Sequence, residues 1–465
     1  MYHNGSNTPL VVFGTIDDHD YGCNNGDKTF QYSKQSGIEF LNFVNENKDS
    51  PMYKRAQKGL GVYGVKLFDF DTKQYSHDQS NNTSSFLIPD DVAKLDPDLD
   101  LDLDLSNNGQ ASYQYSKKTV AIFVLDVRTN KTPWRKGLKR FKPDFEGDFL
   151  GETQWKWFET ALSRSKASIN IIVQGLQVHP TKRFPDSEMA EMWDKFPTAQ
   201  QRLYSVILNN TLHASFLISG DVHMSQLMRK DCFYKPPSSS FSPSFHKRTL
   251  MELTTSGMTH SWGTCVSPRK HLHTTSWFSS YAYFASKAIM SFMYIIIPMP
   301  DVVTSLDTSS LYDSNIYVHG GAEGSKQGKQ FALDLNFAEL EFDWDQQTLV
   351  SRVFGTNTTK SPLISAKWSF DQLSGVSPFP IQSNNFKTNL QHHFNDQWTC
   401  LPVEDIPSQY HIVFSRILGI IFTIWMIFSP LFIFFCGFFF ILQRAWRRYC
   451  CKGQHPKTTI EKKRI

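Results

Sequence analysis

Four consecutive polar residues, Asp17, Asp18, His19 and Asp20, follow directly on the apolar run at 10–16. Side by side, such groups repel one another and lose hydration on burial unless a cation sits among them. Two further clusters share this character: Asp126 and Arg128 at the end of the run 119–127, and Asp221 and His223 just past the run 214–220. Carboxylates combined with imidazole suit hard or borderline divalent and trivalent metals, and a paired metal site activates water and neutralises phosphoryl charge. Taken singly, Asp126 and Arg128 read as a surface ion pair and Asp221 with His223 as an ordinary loop. The acidic run at 17–20 has few such plain explanations.

These groups need elements to position them. The stretches 10–16, 119–127, 169–178 and 214–220 are short, apolar and rich in β-branched residues, as strands buried on both faces are. Trp155, Phe158 and Leu162 recur at helical spacing in 151–165, and Trp193, Leu203, Val206 and Ile207 do so in 187–210. Strands alternating with helices predict a layered α/β fold. Ligands in open α/β sheets sit beyond the carboxyl ends of strands, so the three polar clusters are expected to converge. Asp221 and His223, two apart, face the same side if their segment stays extended.

The remaining stretches are less regular. Residues 72–118 collapse into Asn, Ser and Asp and the alternation "DPDLDLDLDL", too charged and too poor in bulky side chains to pack alone, so a disordered acidic insertion is expected. A calcium loop is the sharper alternative, but the stretch lacks the glycine turn and closing glutamate of an EF-hand. Residues 231–248 read as a loop, and 288–298 as a core helix or a membrane-surface element too short to span a bilayer. The alternation at 331–355 predicts half-buried strands.

The chain of 465 residues, 40% hydrophobic with net charge +4, can bury a large core, and it shows no basic patch interleaved with aromatics, which argues against nucleic acid as a partner. Residues 417–442 carry no charge and exceed the roughly 20 residues that cross a bilayer, so a transmembrane helix is expected there. Arg444, Arg447, Arg448 and Lys452 follow it, which puts the tail 443–465 in the cytosol and the larger part in the lumen or outside the cell. Sequons at Asn4, Asn81, Asn82, Asn130, Asn209 and Asn357 permit glycosylation there. Cys23, Cys232, Cys265 and Cys400 allow up to two disulfides of open pairing, and Cys450 and Cys451 are either palmitoylated or free thiols. No leader pattern precedes residue 11, and the expectation is that sequence upstream of Met1 is missing.

The segments "GTIDDHDYGCNN", "VLDVR", "FLGETQWKWFETAL", "WDKFPTAQQRLYSVI", "LISGDVHMSQL", "ELTTSGMTHSW" and "LNFAELEFDWD" together resemble, in order, the PhoD-type alkaline phosphatases of the metallophosphoesterase superfamily. The resemblance spans roughly 10–355 and implies a four-layer α/β sandwich of two stacked mixed sheets flanked by helices. It implies hydrolysis of phosphate mono- or diesters at a multinuclear centre of iron and calcium. Carried over, it makes Asp17 and Asp18 ligands with Asp221 and His223 as a second set, and gives His19 the leaving oxygen. Arg128 would meet phosphate, with Gln174 and Gln177 lining the site. Two departures stand out: Ile16 replaces the family's tryptophan, and the upstream ligand motifs find no counterpart in the ten or so residues before the first run. The domain is therefore expected over 1–71 and 119–395, followed by a linker at 396–416. The alternative to an enzyme is a non-catalytic lumenal scaffold derived from the same fold.

Overall fold

The computed structural model of the chain describes residues 12–70, 96–99, 118–134, 143–179, 191–211, 213–234, 245–259, 261, 331–332, 335–355, 362–375, 378–379 and 398–401, together with 421, 425, 428, 438 and 442. By contact the chain divides into two units, one of residues 1–182 with 186–404 and one of 183–185 with 405–465. All described strands belong to the first unit.

Among the described residues its large sheet has nine strands. Strands β1 (Gly64–Asp69), β2 (Thr119–Val124), β3 (Ile169–Val173) and β4 (Ala214–Ser219) lie side by side, followed by β6 (Phe245–Thr255) and then β5 (Ser225–Tyr234). The centre is parallel, from β2 through β3 and β4 to β6, whereas β1 and β5 run antiparallel to their neighbours. The short strands β7 (Phe331–Ala332), β11 (Pro378–Phe379) and β12 (Thr399–Leu401) add to β5, β6 and β5 respectively. A second sheet is a three-stranded antiparallel meander of β8 (Asn336–Asp343), β9 (Thr348–Gly355) and β10 (Ile364–Ser369).

Because side chains alternate along a strand, each central strand feeds two cores. Phe123, Ile172, Leu217 and Leu250 face Trp155, Phe158 and Leu162 of one helix, α4 (Gly151–Arg164), and Leu203, Val206 and Ile207 of another, α5 (Pro197–Asn210). Val120, Ile171, Phe216 and Leu253 face Leu349, Val353, Ile364 and Trp368 of the second sheet. Each of these large side chains, fully buried, contributes roughly 1.5–3 kcal/mol. On the outer side of the second sheet Arg352 pairs with Glu339 and Glu341. The described residues thus make a mixed α/β layering of helices, large sheet and small sheet. The expected second mixed sheet is antiparallel in its described part, because 336–369 is built of hairpin-connected strands with one face in solvent.

A buried arginine ties the helical layer to the sheet. Arg248 of β6 donates to the carbonyls of Ile207, Leu208 and Thr211 at the end of α5 (2.7–3.4 Å), to His213 O and Ser215 Oγ (2.7 and 2.8 Å) and to Leu373 O (3.2 Å). Leu373 lies near the end of the short helix α6 (Phe370–Ser374). The arginine thus satisfies carbonyls that helix ends leave without partners, and its charge complements both helix dipoles. Burial pushes its pKa down to about 10.

Several expectations are corrected. The run 10–16 is not a strand where described; it is coil, with Thr15 Oγ1 donating to Val62 O just before β1 at 3.0 Å. Residues 231–234 and 245–248 are not loop but the paired ends of β5 and β6, in register from Asp231–Thr249 to Tyr234–His246. The acidic insertion is not structureless throughout, since Asp96–Leu99 are described, with a 3-10 turn at Pro97–Leu99. Arg55 of helix α3 (Pro51–Gln57), which follows α2 (Ser33–Phe43), forms a close ion pair with Asp96 and another with Asp98 (2.6 Å). Its guanidinium lies over Tyr63 and Trp157, and Trp157 Nε1 donates to Asp96 at 3.0 Å.

Cys232 and Cys400 form a disulfide that spans 168 residues and joins β5 to β12, whereas Cys23 is free and exposed. Cys265, the stretch 288–298 and most of 417–442 lie outside the described residues. Among those described, no helix is long and apolar enough to cross a membrane. Within 417–442 the described positions Ile421, Trp425, Phe428, Phe438 and Leu442 are helical, with side chains about half exposed. Of the sequons, Asn209 is exposed on α5, while Asn130 is half-buried and donates to Leu60 O at 3.2 Å. Asn4, Asn81, Asn82 and Asn357 lie outside the described residues.

Candidate functional site

The acidic run folds as a single helical turn, α1 (Asp18–Tyr21). Asp20 Oδ2 accepts from the Asp17 amide (3.4 Å), and Gly22, at φ +97°, ends the turn. Tyr21 roots it in the protein: the ring is buried against Phe30 with centroids 5.2 Å apart, and its hydroxyl donates to Asp27 O at 3.1 Å. Asp18 is buried and Asp17 half-buried, whereas His19 and Asp20 point into solvent.

The second cluster arrives from the end of β4. Asp221 and His223 both have positive φ, 67° and 53°, a region that non-glycine residues rarely occupy and that is enriched at functional sites. The segment is therefore not extended, and the alternation that would turn both side chains the same way does not apply. Carboxylate oxygens of Asp17, Asp18 and Asp221 all lie within 4.8 Å of one another, and among the described residues His223 is not part of that group. Three carboxylates offer hard oxygen donors suited to calcium, magnesium or trivalent iron. The donor set fits such a cation.

Loss of solvent, reinforced by the charge of Asp17, raises the pKa of Asp221 to about 8. Loss of solvent also raises that of Asp17, against the opposing pull of Arg128. Crowded carboxylates with raised pKa values are what a cation would relieve.

The turn after β3 forms the wall behind Asp17. A Cβ on Gly175 would stand 2.8 Å from Asp17 Oδ1, so only glycine lets the backbone approach this closely, and Gly175 O accepts from Gly220 N at 2.8 Å. The flanking glutamines depart from the expected site-lining role. Gln174 bonds both backbone groups of Leu176 and accepts from Trp193 Nε1 (3.0 Å). Gln177 donates to Gln226 and Thr254 (3.0 and 2.9 Å). Both are buried, because a turn leaving a buried strand must find partners for its own polar groups.

Asp126 is likewise a builder of the scaffold. Its carboxylate accepts from the amides of Val62, Arg128 and Thr129 (2.7–2.9 Å) and from Thr129 Oγ1 (2.6 Å). Gly61, at φ +119°, leaves room for it: a Cβ there would be 2.7 Å from Asp126 Oδ2. This turn aims Arg128 at Asp17. Arg128 Nε donates to Asp17 Oδ1 at 2.6 Å, Nη2 lies 2.5 Å from the same oxygen, and Nη1 donates to Glu191 Oε2 at 2.5 Å. The side chain is fully buried between two carboxylates. It therefore does not present the free guanidinium expected for contact with phosphate.

Sequence reasoning missed Glu191. Its second oxygen accepts from Lys131 Nζ (2.7 Å) and closely from Trp134 Nε1. The signal was absent because its partners are some 60 residues away and its own surroundings read as an amphipathic helix, whereas the helix begins at Pro197.

The family model described as PhoD-like phosphatase matches residues 111–274, which hold β2 to β6, Arg128, Glu191 and Asp221. Among solved structures the chain is similar to one titled "Structure of PhoD", at 16% identity and a TM-score of 0.29 over 57% of this chain. The chain spans less than half of that structure's length, 43%. Among curated proteins none matches the chain.

Proposed function

We propose, from the premise that residues 111–274 belong to the PhoD-like phosphatase family, that this chain is a metal-dependent hydrolase of phosphate mono- or diesters. The carrying observation is the meeting of Asp17, Asp18 and Asp221, from segments some 200 residues apart, within 4.8 Å. These three side chains would hold the cation; iron with calcium is the set the resemblance suggests. When bound, such a centre supplies activated water and neutralises the charge that develops on the phosphoryl group. Under this proposal His19, exposed beside Asp18 with its Nε2 3.9 Å from Asp18 Oδ1, protonates the leaving oxygen. In this reading Arg128 serves the reaction by fixing Asp17.

The test is steady-state hydrolysis of a chromogenic monoester and diester by the full-length chain, with iron and calcium supplied at alkaline pH. Asp18→Asn and Asp221→Asn are each expected to lower kcat/KM at least a hundredfold, which corresponds to about 2.7 kcal/mol. Wild-type inactivity together with unchanged metal content when Asp18→Asn and Asp221→Asn are combined would remove the assignment. Among the described residues the gathered group is three carboxylates with no imidazole, which favours a scaffold derived from the fold, and cation binding without turnover is its expected signature.

We further propose that the chain is anchored by 417–442 with the domain outside the cytosol. The disulfide Cys232–Cys400 supports this, since such bonds persist in oxidising compartments. So does the apolar character of 417–442 and the basic tail after it. Protease added to sealed vesicles is expected to remove a C-terminal tag and spare the domain; the opposite pattern reverses the orientation.

A further inference from the structure

We propose that Glu191 is the positioning residue of the acidic site, a single buried carboxylate that holds two of the three candidate ligands in place through two basic side chains. This rests on the cation-site reading given above. The first arm runs through Arg128, which Glu191 grips at Nη1 (2.5 Å) while Nε donates to Asp17 Oδ1 (2.6 Å). The second runs through Lys131, whose ammonium donates to Glu191 Oε1 (2.7 Å) and to the carbonyls of Asn25 and Gly26 (2.9 and 3.0 Å). The amide of that same Asn25 donates to Asp18 Oδ2 at 3.2 Å. Asn25 sits at φ +56°, a left-handed conformation that Asn accommodates, which fixes the direction of the amide it delivers.

Glu191, Arg128 and Lys131 are each within 2% of complete burial. Trp134 closes the cluster, its ring 4.5 Å from Lys131 Nζ and its indole donating to Glu191. Removed from water, bases of this kind grip strongly but only while balanced by acids; Glu191 and Asp17 supply that balance, Asp17 sharing its charge with the cation that Asp18 and Asp221 also face. Neither arm places Glu191 against substrate. It acts through other residues.

The experiment is a calorimetric calcium titration of the full-length chain and its variants, with the melting temperature measured in calcium-free buffer. Glu191→Gln is expected to weaken calcium binding at least tenfold in protein that remains folded. Unchanged affinity in folded Glu191→Gln, whatever its melting temperature, overturns the inference and leaves the cation site standing. A wild type that binds neither calcium nor iron overturns the site itself, and the inference with it. Should Glu191→Gln not fold, Lys131→Met decides. Removing a positive charge near a cation site tightens binding if charge alone matters, whereas loss of the Asn25 anchor weakens it. Weaker binding is expected; equal or tighter binding overturns the proposal.

Discussion

Gly175 sets how near the turn after β3 can come to Asp17, and Asp17 has Arg128 on its other side. Gly175→Ala is therefore expected to displace the Asp17 carboxylate and weaken calcium binding about tenfold, close to 1.4 kcal/mol, with little change in melting temperature. Calorimetry checks this, and unchanged affinity would take Asp17 out of the ligand set. Asp221 yields a pH dependence. Its folded pKa of about 8 means the proton stays on at neutral pH, and a carboxylate must shed that proton to ligate. Apparent affinity should thus rise with pH, by up to tenfold per unit below pH 8, and level off above it. A flat profile from pH 6 to 9 would contradict the role. The acidic run was legible in the sequence because four adjacent polar groups need a shared cause. The destinations of Arg128, Gln174 and Gln177 were not, since each depends on partners that only the fold supplies, such as Glu191, Trp193 and Thr254.

Elements announced themselves where composition left one option. Strands β2, β3 and β4 are apolar on both faces and match the runs at 119, 169 and 214, because central parallel strands have no polar face to show. Strand β1 was not legible: Gly64–Asp69 carries Lys66 and Asp69 and looks like loop, yet Lys66 pairs with Glu46 at 2.7 Å. The ends of β5 and β6 misread as loop because their short, polar and charged stretches offer no apolar run to mark a strand. Arg248 is the sharpest case. Replacing it with methionine keeps the volume and strands the carbonyls of Ile207, Leu208, Thr211, His213 and Leu373. The expected loss is about 2–4 kcal/mol, given roughly 1–3 kcal/mol for each buried polar group left alone. Urea unfolding measures it, and a loss below about 0.5 kcal/mol would show that water replaces the guanidinium.

At the scale of the molecule, the disulfide closes the sheet against the chain's far end, joining strands 168 residues apart. Its loss is expected to cost about 2–5 kcal/mol, mainly by freeing the unfolded chain. Cys232→Ala paired with Cys400→Ala should lower the melting temperature, and reductant should do the same to the wild type but not to the double variant. Equal melting of wild type with and without reductant would mean the bond does not form. Pairing was open in the sequence because four candidate cysteines allow three connectivities. Only the antiparallel register of β12 on β5, with Cys400 opposite Cys232, selects this one.

The Arg55 clamp on Asp96 and Asp98 changes what kind of object the acidic insertion is. The connection between β1 and β2 is not one long excursion but two shorter ones that meet at a rivet. Closure cost grows only with the logarithm of loop length, so each half can gain or lose residues almost independently of the other and of the sheet. A single backbone cut in 71–95 should leave β1 and β2 paired, with 100–117 still tethered at both ends. The same cut in Arg55→Met should instead leave everything from the cut to Lys118 attached at one end only, so that further cleavage around Asp96 follows. Mass spectrometry after limited proteolysis tells the two outcomes apart.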